Sequence, residues 1–326
     1  MFVLGCHRSG TSLLAGIISD VLSKKQTLTE TSKQLSPQVD NPGGFFESRQ
    51  LVEFNESLLE ELGINWQIPP LHPVNWQCAS VLPKLISART TFSKQALSYH
   101  WVDKDPRLCL TYPAFQHILL KRTPIAAIIR HPYEVAGSLQ TRDIIPLAKG
   151  LVIWFLYNQH ISREITPEDY LTSYESLITR KENSIRSLAK YISKVVPNLD
   201  NTTKSLSEAL ENRVQPDWRR NKSTKPTNIL PEMEWIDVAK ACLDRFEAIK
   251  ASNFNIDDYR ASFADTPDAI LRSCAVLGWQ NIQRRSNEHS NELALVQAEL
   301  KNLKESNSWK STKYLRWLAD LLKKYK

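Results

Sequence analysis

The stretch GCHRSGTS (5–12) sets Gly5 and Gly10 five residues apart and follows them with the hydroxyls of Thr11 and Ser12. It lies between an apolar run, FVLG (2–5), and a helical pattern, SLLAGIISDVL (12–22). A strand–loop–helix turn of this kind points successive backbone N–H groups and a helix N-terminus at one place, which favours an anion there. Its spacing is that of the phosphate loop G-x-x-x-x-G-K-[ST], but Thr11 stands where the lysine belongs, and Arg8 sits inside the loop. The missing lysine is the one that reaches the outer phosphates of a nucleoside triphosphate, with the next hydroxyl on Mg²⁺. No apolar strand ending in an aspartate supplies a metal ligand, so the residues argue against a metal-dependent kinase. Arg8 offers a planar fork suited to a tetrahedral oxyanion. The structural alternative is a plain βα turn with a tightly packed glycine.

A second stretch, IIRHPYEVAGSL (128–139), reads as a strand ending in Arg130, with Ser138 eight residues on. Taken singly, Arg130 is a strand-end cation beside a carboxylate and Ser138 a helix-surface hydroxyl. Three more stretches carry potential chemistry: NPGGFFESRQLVEFNESLL (41–59), WVDKDPRLCLTYPAF (101–115) and YESL (174–177). A fourth, RVQPDWRRN (213–221), is a basic loop.

Together these ordered stretches, over about residues 2–220, resemble bacterial sulfotransferases that use 3′-phosphoadenosine 5′-phosphosulfate. GCHRSGTS is similar to that family's 5′-phosphosulfate loop, and the Arg130–Ser138 stretch to its 3′-phosphate site. The resemblance implies a P-loop-type α/β fold and metal-free transfer of a sulfuryl group to an acceptor. It assigns the donor to Gly5, His7, Arg8, Ser9, Gly10, Thr11, Ser12, Arg130 and Ser138. Arg219 or Arg220 either closes over the donor or is a solvated loop charge. Where cytosolic members carry a histidine in a Lys-x-His stretch, this chain reads Lys104-Asp105-Pro106. Other members use a glutamate at a helix start, and Glu47 is the matching position. Catalysis is thereby implied for Arg8, Glu47 and Lys104.

Each of these has a structural reading beside it. Glu47 is either the acceptor's base, approached past Gly43 and Gly44, or a first-turn glutamate complementing a helix dipole. Lys104 either contacts the transferring group or pairs with Asp103 or Asp105. Arg107 either binds acceptor or anchors the helix after it. His7 and His131 flank motif arginines and are second candidates for the base. Cys6 lies beside the anion-binding amides, which lower a thiol's pKa, or simply packs the loop.

These residues need elements to hold them. Short apolar runs predict strands at Phe2–Gly5, Tyr99–Val102, Ile125–Ile129 and Tyr170–Ser173. Helical periodicity predicts helices over 12–23, 48–62, 79–97, 109–120, 133–142, 147–164 and 175–193. Apolar strands alternating with helices give an α/β fold with a parallel sheet covered on both faces. The Pro- and Trp-rich stretch 64–77 reads as a loop over one sheet end. Its Trp66 and Trp76 form either a rim for sugar rings or a cap on the core. A second loop spans about 213–231, and helices continue to about 283. The domain spans 1–285, followed by a helical tail, 286–326.

Composition sets the remaining bounds. At 326 residues and 42% hydrophobic, the chain can bury a full core. Five cysteines without a C-x-x-C pair argue for free thiols and against a structural metal site. No apolar run reaches a membrane span, and a polar loop at residue five leaves no signal peptide, so the expected compartment is the cytoplasm. From Trp309 onward six cations face Asp320 alone, so the tail carries five of the seven net positive charges. The body is therefore no nucleic-acid binder. Leu293, Val296, Leu300 and Leu303 form a short heptad seam, and 314–325 a basic amphipathic end. That end either docks on its own domain or contacts a partner helix or anionic lipid; lost liposome partitioning on deleting 309–326 is the test of the lipid contact. The acceptor expected is a glycan or lipid-linked hydroxyl. Two other classes remain open: an ATP-using phosphotransferase, and a non-catalytic anion-binding scaffold.

Overall fold

The computed structural model of the chain describes residues 1–23, 46–78, 80–96, 101–179, 182–197, 199, 202–214 and 234–279, with isolated positions between 299 and 312. Four short strands, β1 (Phe2–Leu4), β2 (Asp103–Lys104), β3 (Ile125–Ile129) and β4 (Tyr170–Ser173), make one parallel sheet in the order β2-β1-β3-β4. Val3 pairs with Lys104 on one side and Ala126 on the other, and Ile129 pairs with Ser173. The chain leaves β1 for β2 at one edge and returns to β3 on the other side. Strand order therefore reverses beside β1, the place where open α/β sheets bind ligands at their carboxyl ends.

The strand expected at Tyr99–Val102 is displaced. Pairing with β1 falls on Asp103 and Lys104, because Phe2 stands opposite Asp103. An apolar-run criterion misses this strand since it carries charged residues at the site end. The other three strands lie where their apolar runs put them.

Alternation along the strands divides the core. Phe2, Leu4, Ile125, Ala127 and Ile129 face one cluster; Val3, Ala126 and Ile128 face the other. The first face is covered by α2 (Arg49–Glu61), α4 (Leu108–Leu119), α5 (Pro132–Asp143), α6 (Leu147–Glu164) and α10 (Glu234–Ala251), with α3 (Leu82–Ala96) packed outside α4. The second is covered by α1 (Thr11–Ser23), α8 (Glu182–Val195) and α9 (Thr202–Arg213). Burying apolar side chains on both faces is what a parallel sheet requires.

Helix α6 is buried all round from Gly150 to Ser162, as a core helix is. Several of its polar groups are paired inside the core. Asn158 Nδ2 donates to the Trp154 carbonyl at 2.7 Å, and Tyr259 Oη donates to Asn158 Oδ1 at 3.0 Å. Two contacts pin the Pro-rich stretch to it: Tyr157 Oη donates to the Trp66 carbonyl at 3.1 Å, and His160 Nε2 lies 2.6 Å from the Pro70 carbonyl. Trp76 is in the core, while Trp66 is half-buried, so only Trp66 can belong to a rim.

The helix expected over 175–193 is two, α7 (Tyr174–Ile178) and α8. Ser173 caps the first, its Oγ accepting from the Ser176 N–H at 3.0 Å. Helix α9 had no counterpart in the periodicity. No described helix is long and apolar enough to cross a membrane. The heptad seam and basic end lie outside the described residues apart from isolated positions.

Candidate active site

Loop 5–10 leaves β1 at its carboxyl end and enters α1 at Thr11. Gly5 lies so close to β3 that a Cβ there would sit 2.7 Å from the Ile128 carbonyl oxygen. Gly10 has φ +91°, and a Cβ there would meet Tyr174 Cδ2 at 2.4 Å. Arg8, a residue with a side chain, also adopts a left-handed backbone at φ 65°. Strain of this kind persists where the surroundings fix it. Here the Arg8 carbonyl accepts from Arg130 Nη1 at 3.0 Å, and its Nε donates to Ser138 Oγ at 2.8 Å.

The two arginines and Ser138 therefore meet at one point, although 122 residues separate Arg130 from Arg8. Arg130 directly follows β3, and Ser138 lies in the second turn of α5. Arg130 is buried, and Glu134 holds it through Nε at 2.8 Å and Nη2 at 2.7 Å. The guanidinium also lies 4.3 Å from the Tyr174 ring centroid. Trp154 Nε1 donates to the Arg130 carbonyl at 2.9 Å, tying this end of β3 to α6. The carboxylate beside Arg130 is Glu134, which is itself buried. The four-residue spacing Arg130–Glu134 was the available signal for it. Tyr174, from the YESL stretch, is a site residue without an assigned role in the sequence reading.

A second pair stands on the β2 side. Lys104 Nζ bonds Glu47 Oε1, with Lys104 and Glu47 both buried. Lys104 therefore does not pair with Asp103 or Asp105. Burial pushes the Glu47 carboxyl above its ordinary value, against the opposing pull of Lys104. Glu47 does not complement a first helical turn: Ser48 is the N-cap of α2, accepting from the Leu51 N–H at 3.2 Å, and Glu47 precedes it. Phe46, before Glu47, has φ 53° and lies 4.6 Å from the Arg213 guanidinium, which in turn pairs with Asp20. Helices α1 and α9 thereby fix the backbone that presents Glu47.

Both aspartates flanking Lys104 are occupied. Asp105 Oδ2 accepts from Asn55 Nδ2 at 2.8 Å, and its Oδ1 from Arg107 Nη1 at 3.0 Å. Thr111 Oγ1 donates to Asn55 Oδ1 at 2.7 Å, and Arg107 Nη2 reaches Glu56 at 2.5 Å. Arg107 thus anchors the start of α4 to α2. Asp103 accepts from Ser48 Oγ at 3.3 Å and the Lys104 N–H at 2.9 Å, and burial pushes it up to about 7.

Within the loop, Ser9 and Thr11 are buried and Ser12 is half-buried. His7 lies tilted against Trp66 with centroids 4.3 Å apart and meets Tyr157 edge-on at 5.6 Å. Cys6 is a buried thiol pushed well above its ordinary value by burial, which fits packing and not reactivity. The Gly5 N–H donates to Cys109 Sγ at 3.2 Å. His131 stacks on Tyr133 and meets Phe246 edge-on, and burial lowers its pKa. The structure thus gathers Gly5 to Ser12, Arg130 and Ser138 at one sheet end, with Glu47 and Lys104 beside β1. Arg219, Arg220, Gly43 and Gly44 lie outside the described residues. Among the described residues, no cluster of three or more His, Cys, Asp or Glu is arranged to hold a metal ion.

No protein-family model matches the chain, and no curated protein does either. Among solved structures, the sulfotransferase domain from the Synechococcus PCC 7002 olefin synthase is similar to it at 16% identity and a TM-score of 0.36, over 73% of this chain and 92% of that one. At that TM-score the fold rests on the sheet order and loop geometry described above.

Proposed function

We propose that the chain is a sulfotransferase that moves the sulfuryl group of 3′-phosphoadenosine 5′-phosphosulfate to a hydroxyl of a glycan or glycolipid. The observation carrying this reading is the junction of Arg8, Arg130 and Ser138 at the switch point of the sheet. A donor with phosphate at both the 3′ and 5′ positions of one ribose needs two neighbouring anion sites, one at the loop and one beside it. The loop amides, Arg8, Thr11 and Ser12 hold the 5′-phosphosulfate. Arg130 and Ser138 hold the 3′-phosphate, with Tyr174 packed against both Gly10 and Arg130.

In the transfer, an acceptor oxygen forms a bond to sulfur as the bridging S–O bond to the 5′-phosphate breaks. The bridging electrons leave with 3′,5′-adenosine bisphosphate, and the acceptor's proton goes to the Glu47 carboxylate. Charge develops on the leaving and equatorial oxygens, where prearranged cations contribute most. Lys104 and Arg8 are the cations that would meet that charge. Without ligand, Glu47 and Lys104 satisfy one another; an anion beside Lys104 draws the ammonium toward itself and frees Glu47. Raised by burial, Glu47 is a stronger base than a surface carboxylate.

Trp66, half-buried beside His7, is the aromatic at the rim with which a sugar acceptor would pack. Calorimetric discrimination between 3′,5′-adenosine bisphosphate and AMP in metal-free buffer tests the donor assignment. Equal affinities, or binding that requires Mg²⁺, point instead to an ATP-using phosphotransferase.

A further inference from the structure

Two consecutive residues of β2 meet two consecutive residues at the start of α2. Lys104 bonds Glu47 through its side chain, and Asp103 bonds Ser48, the N-cap of α2. The two contacts differ in kind. The first joins the ends of two long side chains, and it opens when an anion draws the ammonium to itself. The second lies close to the main chain. Asp103 Oδ1 accepts from the Lys104 N–H at 2.9 Å, and Oδ2 accepts from Ser48 Oγ at 3.3 Å. One carboxylate therefore ties the backbone of Lys104 to the residue that follows Glu47.

Asp103 is only 7% exposed, and a carboxyl that far from water needs its oxygens bonded. Ser48 Oγ in turn accepts from the Leu51 N–H at 3.2 Å, so the hold from Asp103 continues into the first turn of α2. On the other side of Glu47, Phe46 takes φ 53° with the Arg213 guanidinium 4.6 Å from its ring, and Asp20 pairs with that guanidinium. The main chain is thus held before Glu47 and after it, by groups other than the Lys104 ammonium. The backbone that carries Glu47 does not depend on the pair its side chain makes.

On the sulfuryl-transfer reading above, which this inference deepens, we infer that Asp103 is a positioning residue that keeps the base Glu47 beside β2 while Lys104 leaves it for the donor. Without such a tie, the event that frees the Glu47 carboxylate would also free the start of α2, and the base would drift from the acceptor. A displacement of about 1 Å is enough to slow a proton transfer made over hydrogen-bond distance. Asp103 acts through Ser48 and the Lys104 backbone, not by contact with substrate.

The test follows amide hydrogen exchange of the full chain by mass spectrometry, in the peptide carrying Leu51 and Val52, with and without 3′-phosphoadenosine 5′-phosphosulfate. Asp103→Leu keeps the branched shape and loses both hydrogen bonds. Asp103→Asn keeps an acceptor for the Lys104 N–H and offers a donor to Ser48 Oγ. The parent is expected to exchange no faster with the donor than without it. Asp103→Leu exchanges about 10-fold faster once the donor is bound, and Asp103→Asn behaves as the parent. An Asp103→Leu variant that responds to the donor as the parent does overturns the inference and leaves the donor class intact. One that exchanges just as fast without the donor also overturns it, since Asp103 is then structural alone. A parent that binds 3′,5′-adenosine bisphosphate no better than AMP removes the sulfotransferase reading itself. Should Asp103→Leu not fold, Ser48→Ala breaks the same bond from the helix side. Loss of the cap raises its exchange in both states, so the further increase with donor is the readout, and its absence overturns the inference.

Discussion

Arg8 Nε donates to Ser138 Oγ at 2.8 Å across 130 residues of chain, and Arg130 Nη1 donates to the Arg8 carbonyl at 3.0 Å. The phosphate loop and the start of α5 are thereby one structural unit. Ser138→Ala removes the hydroxyl that orients Arg8 without disturbing the apolar side of α5. It is expected to weaken 3′,5′-adenosine bisphosphate binding about 10-fold and AMP binding by less, since AMP loses only the orientation of Arg8 at its 5′-phosphate. Calorimetry with both nucleotides checks this; an equal loss for the two would place Ser138 outside the 3′-phosphate site.

Gly10 is the most constrained residue of the loop. Gly10→Ala must take up φ +91° and push Tyr174 away from a contact of 2.4 Å. The substitution is expected to lower stability by about 1–3 kcal/mol. Adding Tyr174→Ala relieves the contact but not the backbone strain, so urea denaturation of the double variant should recover part of the loss and no more. Full recovery would mean that the backbone there is unstrained.

Glu47 and Lys104 lead to a prediction about turnover. Glu47→Gln keeps a carbonyl for Lys104 but cannot take a proton, so sulfation of a responsive glycan falls about 100-fold or more while bisphosphate affinity holds. The pH dependence has a definite sign. Burial raises the Glu47 pKa, Asp105 adds to it, and Lys104 and Arg107 oppose it. A base is inactive when protonated, so turnover rises with pH through a limb above the ordinary glutamate range. A wild-type profile flat from pH 4 to 7 contradicts Glu47 as the base.

Asp103 adds a pH dependence of stability. Its pKa is 3.8 ordinarily and about 7 in the fold. Between those values the folded protein holds a proton that the unfolded chain has released, so stability falls as pH rises through that window. Asp103→Asn removes this contribution. Urea midpoints of variant and parent are expected to coincide near pH 4 and to separate by pH 8, the variant being more stable by about 2–4 kcal/mol. A difference that does not change with pH would contradict the shift.

Where residues announce themselves by local pattern, sequence located them well. The glycine spacing, the apolar runs of β1, β3 and β4, and the helix over 147–164 depend on neighbours in the chain, and the structure has them there. What escaped depends on distant partners. Strand β2 is defined by its pairing with β1 and not by apolar residues, because its two positions are Asp103 and Lys104. The Glu47–Lys104 pair joins residues 57 apart, and Arg213 steadies Phe46 from the end of a helix that no periodicity disclosed. Arg130 and Ser138 are eight residues apart in sequence, but only the fold shows that Arg8 lies between them.

The central claim is that this loop and its neighbour hold a nucleotide carrying phosphate at both 3′ and 5′ positions. Calorimetry of the full chain with 3′,5′-adenosine bisphosphate and with AMP, in buffer containing a chelator, tests it most directly. The account predicts binding of the bisphosphate at least about 10-fold tighter than AMP, since the 3′-phosphate adds charge-assisted hydrogen bonds from Arg130 and Ser138, and no change on adding Mg²⁺. Equal affinities for the two nucleotides, or binding that appears only with Mg²⁺, would contradict it.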